Sequence, residues 1–463
     1  MEKRASIPVT LPRQNPTESY WQLEPDDIAD LRSTSSLPEN ADTVIIGSGI
    51  TGAAVAFNLL TNGSRDIVML EARQACSGAT GRNGGHTKAA SYRSFLSHER
   101  EHGTAMAAKI ARLELANIRA VHAFAKEHGI ECESKSCDTV DVIYDPAQWA
   151  QSQRAVQEMR DAMPADDAAV YKLHSAEEVR GKFFCGHGGD ENVCGGVSYE
   201  AGSLSAYKFV IGVLKLCLEK GLNLQTNTHA HNIEKIEGGG WKVETDRGPI
   251  YAQKVVLATN GYTARLWKGL QGIIVPLRGH VTAQRQGKNM PKEGLPTTYS
   301  FIYEKGYDYM IQRPKGSQFE GDIVIGGALA KATSEGLEEY GTTDDTTCDD
   351  VTMRSLQNGP PQYFGANWGA DDSEGRVRKA WTGIMGFSPD GFPLVGEMPG
   401  EKNLWVSCGF QGHGMVLCWM CARAVVAMMK DGPNSEEKLN TWFPEIYRIT
   451  EERMRLTFHG RLS

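Results

Sequence analysis

The chain runs to 463 residues, long for one compact core, so two domains are the expectation. Hydrophobic residues make up 40% and charged residues 23%, the balance of an ordinary globular protein. A net charge of −8 argues against a nucleic-acid partner, which would want clustered basic charge, and no apolar stretch approaches the roughly 18 residues that span a bilayer.

Residues 1–40 are rich in Pro, Ser and charge and read as an N-terminal arm lying on the surface. The arm carries no apolar block of the secretory kind, and Gly460-Arg461-Leu462-Ser463 is not a peroxisomal address, so a cytoplasmic location is expected. Val44-Ile45-Ile46 is a β-branched run that opens onto Gly47, Gly49 and Gly52. A helix-like segment, "ITGAAVAFNLLTNG", follows, and "DIVMLE" reads as a second buried strand. Further on, "TAMAAKIARLELANIRAVHAFAKEHG" has apolar residues every three to four positions and predicts a long amphipathic helix. "SLSAYKFVIGVLKLCLEKG" predicts another helix, and Gly238-Gly239-Gly240 a hairpin turn. "YDYMIQRP" and "DIVIGGAL" predict strands of a second, sheet-rich region. The ten cysteines are irregularly spaced and form no disulfide framework. Cys418 and Cys421 have redox-motif spacing, but Cys418 reads as sitting well inside an apolar helix, so small core residues are the expectation and no metal site is.

Strand, glycines, helix and strand make a β-α-β unit of about 30 residues, the context that the glycine pattern requires for a dinucleotide. Gly47 permits the tight turn, Gly49 lets the backbone approach a pyrophosphate, and Gly52 lets the helix pack close to the strand. Glu71, about 20 residues on, ends the second strand where a carboxylate would accept ribose hydroxyls. Beyond it, "ARQACSGATGRNGGH" is crowded with small residues, as for a chain passing close to something flat or charged. Far downstream, Gly412, His413 and Gly414 would offer amides and a positive helix end to an electron-rich oxygen such as that of a reduced flavin.

These blocks resemble the FAD-dependent amine and amino-acid oxidoreductases, the family of D-amino-acid oxidase, glycine oxidase and monomeric sarcosine oxidase. The "SGATGRNGG" run looks most like the γ-glutamylputrescine oxidase group and many uncharacterised fungal relatives. The resemblance implies an α/β fold in which a Rossmann-like FAD-binding domain (residues 41–95, 196–278 and 377–463) is interleaved with a smaller antiparallel, sheet-rich substrate domain (96–195 and 279–376). It implies FAD held non-covalently at Gly47, Ser48, Gly49, Thr51 and Gly52, with Glu71, Ala72 and Arg73 at the adenosine ribose. Ser77, Thr80, Gly81, Asn83, Gly84 and Gly85 would run along the ribityl chain and ring. Ala230 would contact adenine, Thr259, Asn260 and Gly261 would form a turn near the cofactor, and Gly386, Asp390, Gly412, His413, Gly414 and Met415 would close the flavin end.

The chain departs from the family's amino-acid oxidases where they anchor a substrate carboxylate: Met385 and Val416 stand at positions where relatives carry an arginine and a lysine. Losing charge-assisted bonds worth roughly 1.5–3 kcal/mol each argues for a secondary, cyclic or conjugated amine over a simple α-amino acid. Lys88 either holds an acid group or is an exposed lysine. His86 either faces the flavin or packs beside it, and His413 either orients or caps the helix start or transfers protons. Tyr307, Tyr309 and Trp381 are either walls of an aromatic cage around an amine or ordinary sheet packing. Val324 stands where sarcosine oxidase has its oxygen-activating lysine and Gly383 about where its flavin-tethering cysteine falls, with Cys408 a second candidate tether. The chemistry expected is oxidation of a C–N bond to an imine by hydride transfer to flavin N5, with O2 or another acceptor taking the electrons. The alternatives are an FAD monooxygenase using NAD(P)H and a flavin-bound protein without turnover.

Overall fold

The computed structural model describes residues 1–186 and 192–460. In chain order the strands are β1 (Asn40–Ile46), β2 (Ile67–Leu70), β3 (His86–Thr87), β4 (Lys135–Ile143), β5 (Lys172–Ser175), β6 (Gly195–Ser203), β7 (Asn223–Gln225), β8 (Ala230–Lys235) and β9 (Trp241–Thr245). They continue as β10 (Gly248–Leu257), β11 (Val275–Gln284), β12 (Thr298–Tyr303), β13 (Gly306–Gln312), β14 (Ile323–Gly327), β15 (Val377–Phe387), β16 (Leu394–Glu397) and β17 (Leu404–Cys408).

Among the described residues these form two sheets. The first has the order β16-β17-β10-β1-β2-β7, with the β8–β9 hairpin attached through β9 to β10. Strands β17, β10, β1, β2 and β7 run parallel, and their apolar side chains are buried on both faces, which is why they read as continuous apolar runs. On one face the helix Ile50–Thr61 packs against the helices Ala206–Glu219 and Cys418–Asp431. The helix Ala206–Glu219 starts at Ser205, whose hydroxyl accepts from the Lys208 amide at 3.3 Å.

The second sheet has the order β15-β11-β14-β13-β12-β4-β6-β3, with β5 on β6, and is antiparallel apart from the β12–β4 pair. One face is covered by the helices Ala176–Phe183 and Asp350–Phe364. Val281, Ile311, Val324 and Trp381 on the other face join the apolar core formed by the helices of the first sheet.

Three expectations change. Strands β3, β6 and β15, assigned by the domain boundaries to the FAD-binding segments, lie in the second sheet, because their ladders run to β6, β4 and β11. The arm is not confined to the surface: Ser19, Tyr20, Trp21 and Gln22 are buried. Cys418 opens its helix rather than sitting inside it, yet burial pushes its thiol up to about 12, the reverse of an activated cysteine. No helix among the described residues is long and apolar enough to cross a membrane.

Candidate active site

The turn after β1 is set by backbone crowding. A Cβ on Gly52 would lie 1.9 Å from the Gly47 carbonyl oxygen, and one on Gly47, at φ +108°, 2.6 Å from that of Ala258. The helix Ile50–Thr61 therefore starts hard against the strand, with Gly49 as an N-cap that brings no side chain. Thr80 Oγ1 accepts from the Ile50 amide at 3.1 Å, so the downstream run closes back onto the helix start. Glu71, at the end of β2, accepts from the Ser48 amide at 3.1 Å and hydroxyl at 2.6 Å, and from the Arg73 amide at 3.0 Å. Its carboxylate is thus aimed at the glycine turn, half-buried, as a ribose acceptor would be. Ser48 also accepts from the Cys76 amide at 2.9 Å, and Thr51 is buried beside Cys418.

Arg73 does not project as a ribose ligand. Its guanidinium donates to Asp345 at 2.9 Å, to the Ser77 carbonyl at 3.1 Å and to the Arg13 carbonyl at 3.3 Å. Arg82, absent from the predicted set, is also buried and lies 4.0 Å from the same carboxylate. Burial pulls Arg82 down to about 10, still a cation at neutral pH, while Asp345 keeps Arg73 charged. Burial likewise raises the Tyr262 hydroxyl beside this cluster. Two arginines share the buried Asp345 carboxylate, and the Glu71 carboxylate also acts on Arg73, so the charges of this cluster balance.

The run 80–85 is packed from its Cβ side. A side chain on Gly81 would meet the Cys76 carbonyl at 2.1 Å, on Gly84 the Tyr309 ring at 2.3 Å, and on Gly85 the Leu204 carbonyl at 2.5 Å. Asn83 accepts from the Gly85 amide at 2.8 Å. Asn260 accepts from the Gly409 amide at 2.9 Å, and a Cβ on Gly386 would meet its Oδ1 at 2.7 Å, so this turn joins β15 to the end of β17. Thr259 pairs with Thr263 at 3.0 Å, Gly261 packs on the Met385 carbonyl, and Ala230 is buried at the start of β8.

At the far end the picture differs from expectation. The helix begins at Cys418, with a 3₁₀ turn, Gly414–Val416, between it and Gly412. The His413 amide donates to the Phe410 carbonyl at 2.7 Å, which removes it from the set offered to a ligand, and its ring Nδ1 faces the Gln411 carbonyl at 3.0 Å. The Met415 carbonyl accepts from the Asn117 side-chain amide at 3.0 Å. Asp390 is bound at 2.7 and 2.9 Å by Arg453, a residue of the C-terminal segment that no local sequence pattern marks. Met385 lies between Gly279 and Gly412: a Cβ on the former would meet its Cε at 2.9 Å, one on the latter its Sδ at 3.3 Å.

Of the proposed substrate walls, Trp381 is a core residue: its indole donates to the Arg82 carbonyl at 2.7 Å and stacks on Tyr20 with centroids 6.0 Å apart. Tyr309 is half-buried over Gly84 and Gly326, and desolvation raises its hydroxyl pKa. Tyr307 already carries two of the protein's own cations, Arg93 at 5.2 Å and Lys88 at 5.8 Å from the ring centroid. Lys88 is not an exposed lysine: its ammonium donates to Asp141 at 2.8 Å and Ser300 at 2.5 Å. Asp141 in turn accepts from Tyr92 at 2.8 Å and Tyr199 at 3.1 Å. His86 pairs with Thr298 at 2.7 Å, and burial, reinforced by Lys88, holds it neutral. Asp141, Asp345, Arg93 and Arg453 gave no local signal, since what marks them is a distant partner. Arg82 is the one long charged side chain in the run 77–85, a signal that could have marked it.

Residues 42–428 match the family description "FAD dependent oxidoreductase" (DAO). The chain belongs to this family. It is 26% identical over 386 residues to the protein named "Probable oxidoreductase OrdL" of Rhizobium meliloti, covering 83% of this chain and 81% of that one. It is 20% identical to the gamma-glutamylputrescine oxidoreductase of Escherichia coli, covering 89% of each. It is also 26% identical to the bifunctional protein MnmC of Thiobacillus denitrificans, of which it spans 56%. Glycine oxidase of Geobacillus kaustophilus has the same fold, with a TM-score of 0.67 at 19% identity over 89% of this chain and 99% of that one.

The protein is therefore an FAD-dependent oxidoreductase of amines or amino acids. The residues fit FAD: at a helix start whose N-cap, Gly49, brings no side chain, Thr80 takes only the Ile50 amide, and the hydroxyls of Ser77 and Tyr262 are buried without a hydrogen-bond partner among the described residues.

Proposed function

We propose that this oxidoreductase converts a secondary, cyclic or conjugated amine to its imine, with FAD held non-covalently and O2 as the electron acceptor. The observation that carries this reading is the state of Lys88, the cation best placed by sequence to hold a substrate acid group. Its ammonium is already spent on Asp141 and Ser300 inside a network that Tyr92 and Tyr199 complete. With Met385 and Val416 apolar, the anchors of an α-carboxylate are not at the positions where such anchors are expected.

When bound, FAD supplies the two-electron acceptor for C–N oxidation. The chain's share is to hold and to exclude. The amides at the start of the helix Ile50–Thr61 suit the pyrophosphate, the Glu71 carboxylate suits the ribose hydroxyls, and the 80–85 backbone suits the ribityl chain. A neutral His86 adds no positive charge to the site, which favours an uncharged amine, the form able to give up a hydride. Burial pushes the Cys408 thiol up to about 12, which supports non-covalent attachment, because an unionised thiol is a poor nucleophile.

One observation favours a second reading, an amine that bears an acid group. Arg93 stands at the first turn of the helix Tyr92–His102 with its guanidinium over Tyr307, beside Lys88. Anaerobic mixing of the yellow protein with amines that carry or lack a carboxylate separates the two, with loss of flavin absorbance as the readout. Bleaching by neutral cyclic or secondary amines supports the first reading. Bleaching by acid-bearing amines alone, abolished in Arg93→Ala, overturns it in favour of the second. Peroxide on readmitting air supports O2 as acceptor, and rapid bleaching by NADPH would instead indicate a monooxygenase.

A further inference from the structure

The N-terminal arm lies outside the 42–428 span that matches the family, yet it touches the run 80–85, proposed above to lie along FAD. Ser19 Oγ donates to the Gly81 carbonyl at 2.7 Å and Trp21 Nε1 to the Asn83 carbonyl at 2.6 Å. Between them, the Arg82 carbonyl is taken by Trp381 at 2.7 Å, so three successive carbonyls are fixed by three side chains. The arm is itself locked in. Thr17 Oγ1 accepts from Arg82 at 2.7 Å and from the Thr382 amide at 3.0 Å, and the Thr17 amide donates to the Asp345 carbonyl at 2.7 Å. Tyr20 packs on Trp381 and donates to Asp322 at 3.0 Å. The Trp21 ring would lie 3.2 Å from a Cβ on Gly85.

A run with Gly81, Gly84 and Gly85 has little intrinsic preference for one shape, because glycine carries the largest backbone freedom to be lost. Its conformation has to be imposed from outside. We infer that residues 17–22 are a strap that imposes it: Ser19 and Trp21 are positioning residues for FAD, acting through the backbone of 81–83 without touching the cofactor. By linkage, FAD must tighten the seating of the strap as much as the strap tightens FAD.

This inference rests on the family's use of FAD and on the proposed placement of residues 80–85 along it, and not on which amine is oxidised. Trp21→Phe keeps the ring and deletes the donor, and Ser19→Ala deletes the hydroxyl. The apoprotein of each is titrated with FAD by flavin fluorescence, and thermal midpoints are recorded with and without FAD. A strap predicts an FAD Kd raised roughly tenfold in each variant, with a smaller FAD-induced rise in midpoint than in the wild type. Glu18→Gln, on the exposed side of the arm against Lys379, keeps the wild-type Kd. In the wild type, trypsin cuts after Arg13 several-fold faster in the apoprotein than with FAD bound. Wild-type FAD affinity in both variants, or equal loss of apo and holo stability, overturns the strap, as does a cutting rate indifferent to FAD. Wild-type protein that takes up no FAD overturns instead the cofactor assignment.

Discussion

The carboxylate of Asp345 meets the Arg73 guanidinium at 2.9 Å, shut off from water, with Arg82 4.0 Å from the same oxygen. A buried charge that loses its partner is far costlier than the pair is stabilising. Asp345→Ala strands two buried cations and is expected to lower stability by about 3–5 kcal/mol, measured by urea denaturation. Asp345→Asn keeps an acceptor and should lose less; an alanine variant as stable as the wild type would remove the cluster from any structural role.

Glu71 is expected to govern cofactor retention. Glu71→Ala removes the acceptor aimed at the glycine turn, and loss of hydrogen bonds to a charged group should raise the FAD Kd by roughly ten- to a hundredfold. The ratio of flavin to protein absorbance after gel filtration reads this directly. Full occupancy in the variant would count against the assignment of the ribose site.

Gly84 and Tyr309 should behave as one unit. In Gly84→Ala the new methyl would sit 2.3 Å from the Tyr309 ring, and overpacking of this kind costs roughly 1–3 kcal/mol. Replacing Tyr309 with alanine in the same chain makes room, so a double-mutant cycle should return a clear favourable coupling. Additive losses would mean that the backbone, not the ring, absorbs the strain.

Glu114, on the helix Thr104–Glu127, accepts a hydrogen bond from the Ser91 hydroxyl and is held at about 7 by burial. Its folded value lies above its unfolded one, near 4.5, so between these the native state binds the extra proton. Stability contributed by this group is present below about pH 4.5 and is lost as pH rises to 7, by roughly 3 kcal/mol in all. His122 and His280, held at about 4 by burial, act in the opposite sense over pH 4 to 6.5. The difference between wild type and Glu114→Gln isolates the carboxyl: the variant gains on the wild type as pH rises from 5 to 7.5 in denaturant titrations. A pH-independent difference would contradict the burial of a protonated acid.

What was legible in the sequence was local. Gly47, Gly49, Gly52 and Glu71 could be placed because a tight turn and a strand end announce themselves within about 30 residues. The runs at 44–46 and 67–70 announce themselves by their unbroken apolar character. The helix start was misjudged because Gly412 and Gly414 resemble a start signal, while the backbone first spends the His413 amide on a turn to Phe410. Trp381 looked like a pocket wall because strand alternation cannot say which face meets solvent and which meets Tyr20. The burial of Ser19 and Trp21 left no periodic trace, since their partners are carbonyls, and a carbonyl is the same in every residue.

The contacts of the strap also differ in when they can form. Residues 17–22 emerge from the ribosome early, but their clamps, Asp345, Trp381 and Thr382, follow more than 300 positions later. Long-range contacts of this separation form only after most of the chain exists. Residues 17–22 can therefore pair with the carbonyls of Gly81 and Asn83 at once, but their seat against Asp345, Trp381 and Thr382 has to wait for those distant residues.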